Sequence, residues 1–225
     1  MKFQAFIFDM DGTIIDNMRF HNQTWIELLG TIGVKIDIEH FARQTSGKKN
    51  PEILREFVGS HLSDAEIAAF SARKEVLYRE LYHPYMKAIN GLEAFLKTAQ
   101  NLHIPMALAT SADKVNINFT LTGLGLETSF NVIVGGEDIT HSKPHPEIFL
   151  TAAQKLGVAP EQCLVFEDAP SGIEAAQRAG MQIVALATTL PAPELAGHKR
   201  ILRIVPDYTS LHPAAFINRT GSITS

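Results

Sequence analysis

The chain has 225 residues, 45% hydrophobic and 20% charged, which is ordinary globular composition with enough length for a sizeable core. A formal net charge of −4 gives no electrostatic footing for nucleic acid or an anionic membrane. The single cysteine, Cys163, cannot close an internal disulfide and no apolar run reaches membrane-spanning length, so a soluble cytoplasmic protein is expected.

The first element is FQAFIF (3–8), an apolar run that stops abruptly at Asp9 and Asp11 and is too short for the apolar region of a signal peptide. Helical patterns follow at 20–32, 38–44, 51–58 and 63–82, with no convincing strand between 17 and 85. Ser63 and Glu66 make a capping-box pattern, and Asn50-Pro51 reads as an N-cap followed by proline. Structureless loops of that length are uncommon, so 17–85 is expected to be a small helical domain inserted into a core made of 1–16 and 86–225. Further on, apolar runs at 104–110, 130–135, 163–168 and 182–187 alternate with helical patterns at 91–102, 146–156 and 171–179. Pro146 and Glu147 suit a first helical turn, and Ser171 and Glu174 make another capping-box pattern. Runs that are apolar throughout are strands covered on both faces, so the fold class is α/β, a doubly wound parallel sheet with an inserted all-helical cap. Cys163 falls within a strand and reads as core packing. The tail RTGSITS is expected to fray.

In such a sheet ligands bind beyond the carboxyl ends of the strands. Asp9 and Asp11 follow the first strand, Thr110 and Ser111 the second, Lys143 lies beyond the third, and Glu167-Asp168 closes the fourth. Each has a plain alternative: a capping turn, a satisfied strand-end hydroxyl, a solvent lysine, acids that complement a helix dipole. Their common position, each directly after an apolar strand, favours one joint site. Two acids as close as Asp9 and Asp11 are unfavourable unless a cation or a shared proton relieves them. Hard carboxylate oxygens suit Mg²⁺, which would relieve the crowding of Asp9, Asp11 and Asp168 and attract an anionic substrate. With a lysine and a small hydroxyl, this set has the parts used for phosphoryl transfer. No phosphate-binding glycine loop, Ser-His-Asp set or zinc spacing competes with it.

DMDGT (9–13), Thr110, Lys143 in SKPHP and Glu167-Asp168 in FEDAPSGIEAA occur in the order of the four motifs of the haloacid dehalogenase superfamily, and the chain resembles that superfamily over nearly its whole length. The resemblance implies a doubly wound core with a mobile cap. It implies Asp9 as nucleophile, Asp11 as general acid and base, and Thr110, Ser111 and Lys143 as phosphate-binding residues. Around Mg²⁺ it implies Asp9, Asp11 through its carbonyl, Asp168, and Glu167 in support. A helical insertion between the first two motifs is similar to the small cap of β-phosphoglucomutase and its phosphatase relatives. His21, Trp25, Lys74 and Gly47 in SGKKNPE (46–52) resemble that cap. Asn50 stands where the mutase carries an arginine for the distal phosphate, with Lys48 and Lys49 beside it. The plain readings are a surface histidine at 21, a packing tryptophan at 25 and a solvent-facing lysine at 74. Tyr78, Tyr82 and Tyr85 read as a packing stripe.

The expected protein is a monomeric Mg²⁺-dependent phosphatase of small phosphorylated metabolites, sugar phosphates foremost, acting through an aspartyl-phosphate. The nearest alternative is a β-phosphoglucomutase-like isomerase. A dehalogenase is opposed by Asp11, a phosphonate hydrolase by Asn50 where it uses a cap lysine, and a receiver-like domain by the cap and the chain length. A non-catalytic sugar-phosphate sensor on the same fold is the alternative of another class.

Overall fold

The computed structural model describes residues 3–59 and 62–217; the expectation of a frayed tail lies outside them. The chain runs through β1 (Ala5–Phe8), α1 (Met18–Gly30), α2 (Ile38–Thr45), α3 (Asn50–Phe57), α4 (Asp64–Tyr82), α5 (Leu92–Asn101), β2 (Met106–Ala109), α6 (Lys114–Leu124), β3 (Val132–Val134), α7 (Glu147–Leu156), β4 (Cys163–Glu167), α8 (Pro170–Arg178), β5 (Gln182–Leu186), α9 (Ala192–Leu195) and β6 (Ile201–Val205). The strands form one parallel sheet in the order β3-β2-β1-β4-β5-β6. The order reverses direction at β1, and a doubly wound sheet offers its ligand crevice at that point.

Period-two alternation divides the buried side chains between two faces. Phe6 and Phe8 of β1, Leu108 of β2 and Phe166 of β4 pack with Phe95 and Leu96 of α5 and Ile117 and Leu121 of α6. Phe8 and Phe166, register partners on adjacent strands, stack with centroids 4.5 Å apart. On the opposite face Ala5, Ile7, Ala107, Ala109 and Val165 meet Ile148, Phe149, Ala152 and Ala153 of α7 and Ile173, Ala175 and Ala176 of α8. Cys163 belongs to this second face; burial pushes its thiol up to about 12, so it packs rather than reacts.

Helices α1 to α4 hold their own apolar cluster of Trp25, Leu28, Leu29, Phe41, Ile53, Leu54 and Ile67. The block leaves and rejoins the sheet where Ile15 and Ala88 form an antiparallel bridge. Its start signals behave unevenly. Ser63 caps α4 as expected, accepting from Glu66 N–H while Glu66 accepts from Ser63 N–H. Asn50 does not cap α3: Lys49 holds that position and Asn50 lies in the first turn. Ser171 does not cap α8 either, because the helix starts at Pro170, after Ala169. In both cases a proline with fixed φ in the first turn sets the helix entry ahead of the expected polar cap, by one residue in α3 and by two in α8. Among the described residues no helix is long and apolar enough to cross a membrane.

Candidate active site

The backbone brings the acids together before any side chain is considered. Asp9 N–H donates to Phe166 O at 3.0 Å, extending the β1–β4 ladder by one residue. Asp9 and Asp168 therefore leave the sheet side by side. Gly12 turns the chain back at φ +81°, and a Cβ there would lie 2.1 Å from Asp168 Oδ2, so only glycine fits.

Lys143 is buried, with Nζ 2.5 Å from Asp9 Oδ1 and 2.7 Å from Glu167 Oε1. The other Glu167 oxygen accepts the N–H groups of Asp168 and Ala169, both at 2.7 Å. Asp168 accepts from Thr13 Oγ1 at 3.0 Å and from Thr189 Oγ1. One carboxylate oxygen from each of Asp9, Glu167 and Asp168 lies within 4.8 Å of the others. Burial raises the Asp9 pKa to about 7; Lys143 opposes the rise, while Glu167 and Asp11 add to it. Burial, then the charges of Glu167 and Asp9, raise Asp168 well above its ordinary range. Burial also works against the Lys143 charge, but its two acid partners outweigh it and its pKa rises. Three buried carboxylates around one ammonium are short of positive charge. Hard oxygen donors in that state fit a divalent cation such as Mg²⁺.

The Asp11 side chain turns away from this cluster. Its Oδ1 accepts from Asn17 Nδ2 at 2.6 Å and lies 3.7 Å from His21 Nε2. Burial would raise the Asp11 pKa, but the His21 hydrogen bond and charge, Asn17 and Lys74 outweigh it and the pKa is lowered. His21 stacks on Tyr78 with centroids 3.8 Å apart, and its Nδ1 sits 2.7 Å from Lys74 Nζ. Lys74 is 2% exposed, which overturns the solvent-facing reading, and its ammonium also donates to Glu75 Oε1 at 2.9 Å. Tyr78 and Tyr82 are buried packing, as read, whereas Tyr85 is exposed.

The sheet edge and the helical block enclose a cavity of about 390 Å³ lined by Asp9, Asp11, Thr110, Lys143 and Asp168 on one side and by His21, Trp25, Asn50, Lys74 and Glu75 on the other. Trp25 serves twice, as a cavity wall and as part of the helical block's apolar cluster. Thr110 is buried and accepts from Ala112 N–H at 3.1 Å. The hydroxyl of Ser111 donates to Gly47 O at 3.0 Å, so it reaches the helical block rather than the acid cluster. Gly47, at φ +79°, brings its loop against Lys143 and Ser171; an added Cβ would come within 2.8 Å of Lys143 Cβ. Asn50 donates to Glu75 Oε1 at 2.6 Å. Lys48 pairs with Glu56 at 2.5 Å, and Lys49 donates to Ile139 O at 2.7 Å.

Sequence reading missed Thr13, Asn17, Ser71, Glu75, Asn116 and Thr189. Thr189 was findable, since it follows β5 as the other site residues follow their strands. Asn17 precedes α1 in the N-cap position yet makes no side-chain cap, and nothing local reveals that it faces Asp11. Asn116, within α6, donates to Glu75 Oε2 at 2.6 Å and accepts from Arg79 at 2.7 Å, a junction that exists only once the two regions meet.

A family model described as haloacid dehalogenase-like hydrolase matches residues 6–186. The 5-amino-6-(5-phospho-D-ribitylamino)uracil phosphatase of Arabidopsis thaliana is 31% identical over 88% of this chain, which spans 53% of that protein's length. Fructose-1-phosphate phosphatase YqaB of Escherichia coli is 33% identical, covering 81% of this chain and 96% of that protein. Among solved structures, β-phosphoglucomutase of Clostridium difficile matches with a TM-score of 0.79 and 29% identity, over 89% of this chain and 90% of that one.

Proposed function

The chain belongs to the haloacid dehalogenase-like hydrolase family, in its β-phosphoglucomutase-like subgroup, and on that premise we propose that it is a Mg²⁺-dependent phosphatase of small phosphorylated metabolites, sugar phosphates foremost. The observation that carries the proposal is the excess of buried acid around Lys143 at the floor of a cavity, with Asp11 held apart from it by Asn17 and His21. Names of relatives that are phosphatases of phosphorylated metabolites support the same reading.

An oxygen of Asp9 attacks phosphorus, the ester P–O bond breaks, and an aspartyl-phosphate forms. Asp11 gives its proton to the departing ester oxygen. It then takes a proton from water, whose oxygen attacks phosphorus and breaks the bond to Asp9. Its lowered pKa suits Asp11 to the base step, and a phosphate dianion beside it would raise its proton affinity for the acid step. Thr110 and Lys143 hold phosphoryl oxygens. Asp9, Asp168 and the Asp11 carbonyl, with Glu167 behind them, would hold Mg²⁺, which supplies positive charge against the charge developing on the phosphoryl group. The helical block covers the cavity through the Ser111–Gly47, Lys49–Ile139 and Asn116–Glu75 contacts and is proposed to be a gating cap that excludes water.

The presence of His21 and Lys74 together with the likeness to a mutase favours phosphosugar isomerisation as the second reading. A mutase must retain a bisphosphate, and charge-assisted grips suit that task. Here Asn50 is tied to Glu75, Lys48 to Glu56 and Lys49 to a backbone carbonyl, which supports hydrolysis. A panel of phosphorylated metabolites with Mg²⁺, read for both inorganic phosphate and isomerised product, tests the proposal. Phosphate release is expected. Rapid conversion of β-glucose 1-phosphate to glucose 6-phosphate with little phosphate release would overturn it.

A further inference from the structure

Ser71, Lys74 and Glu75 share one face of α4, because residues three and four apart on a helix lie above one another. All three line the cavity. Ser71 Oγ is buried yet has no hydrogen-bond partner among the described residues. Glu75 Oε1 accepts from Asn50 and Lys74, and Oε2 accepts from Asn116. A carboxylate offers about four acceptor sites, so one remains on the Asn116 side. The helix thus places at the cavity wall a serine whose buried hydroxyl has no partner among the described residues and a carboxylate with one unused acceptor site.

That space lies on the leaving-group side. Asp11 meets the departing ester oxygen, and from Asp11 the contacts run through His21 (3.7 Å) and Lys74 (2.7 Å) to Glu75 (2.9 Å). A group attached to that oxygen would occupy the cavity that Asp11, His21, Lys74 and Glu75 line together. The cations lining the cavity are already engaged: Lys143 by Asp9 and Glu167, Lys74 by Glu75 and His21, Lys48 by Glu56, and Lys49 by Ile139 O.

We infer that Glu75, with Ser71, sets the substrate class: the wall of α4 accepts an uncharged, hydroxyl-rich leaving group and rejects one that carries a second phosphate. This deepens and rests on the phosphatase reading. Hydroxyls of a polyol donate to the remaining acceptor site of Glu75 Oε2, beside Asn116, and bond to Ser71 Oγ once that hydroxyl turns toward the cavity. A second phosphate brings a dianion to a buried carboxylate, with its one ammonium already shared, and like charges so placed repel strongly.

The test is calorimetric binding of a ketohexose 1-phosphate and its 1,6-bisphosphate, with Mg²⁺, to the full chain carrying Asp9→Asn. Glu75→Gln is then compared in the same background, and p-nitrophenyl phosphate turnover by the unmodified protein is measured separately. The monophosphate is expected to bind more tightly than the bisphosphate. Glu75→Gln, which removes the charge and frees Lys74, is expected to shift that preference at least about tenfold toward the bisphosphate. A bisphosphate bound as tightly as the monophosphate, or a preference that Glu75→Gln leaves unmoved, overturns the inference. If Glu75→Gln does not fold, Ser71→Ala decides: monophosphate affinity should fall several-fold while inorganic phosphate affinity holds, and equal changes in both count against the inference. Loss of p-nitrophenyl phosphate turnover in the unmodified protein would instead sink the phosphatase reading, because the binding preference is measured without turnover.

Discussion

Two buried lysines invite comparison. Lys143, at the sheet edge, faces Asp9 and Glu167 with Asp168 behind them; Lys74, in the helical block, faces Glu75 and His21 Nδ1. The outcomes for the acids are opposite. Burial drives Asp9 up to about 7 in spite of its lysine, whereas Glu75, for which burial also works upward, is brought down to about 2 by Lys74, with His21 and Asn50 assisting. A balanced buried pair is a positioned part of the scaffold. An acid excess is a site short of a cation, and that shortage supplies a reason for both a metal and an anionic substrate to bind there.

The largest expected effect breaks the acid-rich side. Asp9→Asn, isosteric but a poor nucleophile, should lower phosphate release by about 10⁴-fold while circular dichroism remains unchanged. Near-normal turnover in a folded variant would remove Asp9 from the chemistry.

Next is the balanced side. Lys74→Met leaves Glu75 buried without its ammonium and should cost about 3–5 kcal/mol of stability in urea unfolding. The sign of its pH dependence follows from the depressed Glu75 pKa. The stability Glu75 contributes is complete above its ordinary value of 4.5 and is lost as pH falls toward 2, so Lys74→Met should flatten acid unfolding over that window. A cost no greater than that of an exposed lysine would show the pair to be idle.

Chelation sharpens the contrast from the other direction. Activity should fall about a hundredfold or more in EDTA and return with Mg²⁺, on the scale expected when several kcal/mol of transition-state charge stabilisation are withdrawn. Full turnover in metal-free buffer would contradict the reading of the acid excess.

The smallest effect is on melting. A carboxyl whose pKa rises on folding from 3.8 to about 7 binds more protons folded than unfolded between those values, so metal-free stability should decline as pH rises through that window. Asp9→Asn should therefore melt a few degrees higher than the parent at pH 8 without metal, and the gap should narrow at pH 5. A gap that does not change with pH would mean that Asp9 carries no such strain.

Much of this contrast was legible in the sequence, though not evenly. Strands β1, β2, β4 and β5 are apolar on both faces and announce themselves, and the acids that follow β1 and β4 are read from position, whereas Lys143 lies beyond β3, whose Ile133 is exposed. Strand β6 was missed because it is an edge strand whose Leu202 and Arg203 are exposed, so its run is broken by polarity. Helix α6 was missed because Asn116, Asn118, Thr120, Thr122 and Gly123 are weak helix formers, and tertiary packing of Ile117 and Leu121 carries it. The balanced pair was illegible for a different reason. Lys74 and Glu75 sit in a helix with little apolar contrast between its faces, and only the arrival of His21, Asn50 and Asn116 from three other segments shows them to be buried.

The central claim, that Asp9 takes the phosphoryl group and Asp11 releases it, is tested most directly by mixing Asp11→Asn with p-nitrophenyl phosphate and Mg²⁺ and following the first turnover. p-Nitrophenolate needs no proton to depart, so the first step should proceed and the second should stall. The account predicts a burst of about one equivalent of p-nitrophenolate per chain, followed by near arrest, with the phosphoryl group recovered on the peptide that contains Asp9. Steady turnover at the unmodified rate with no burst and no phosphorylated peptide would contradict it.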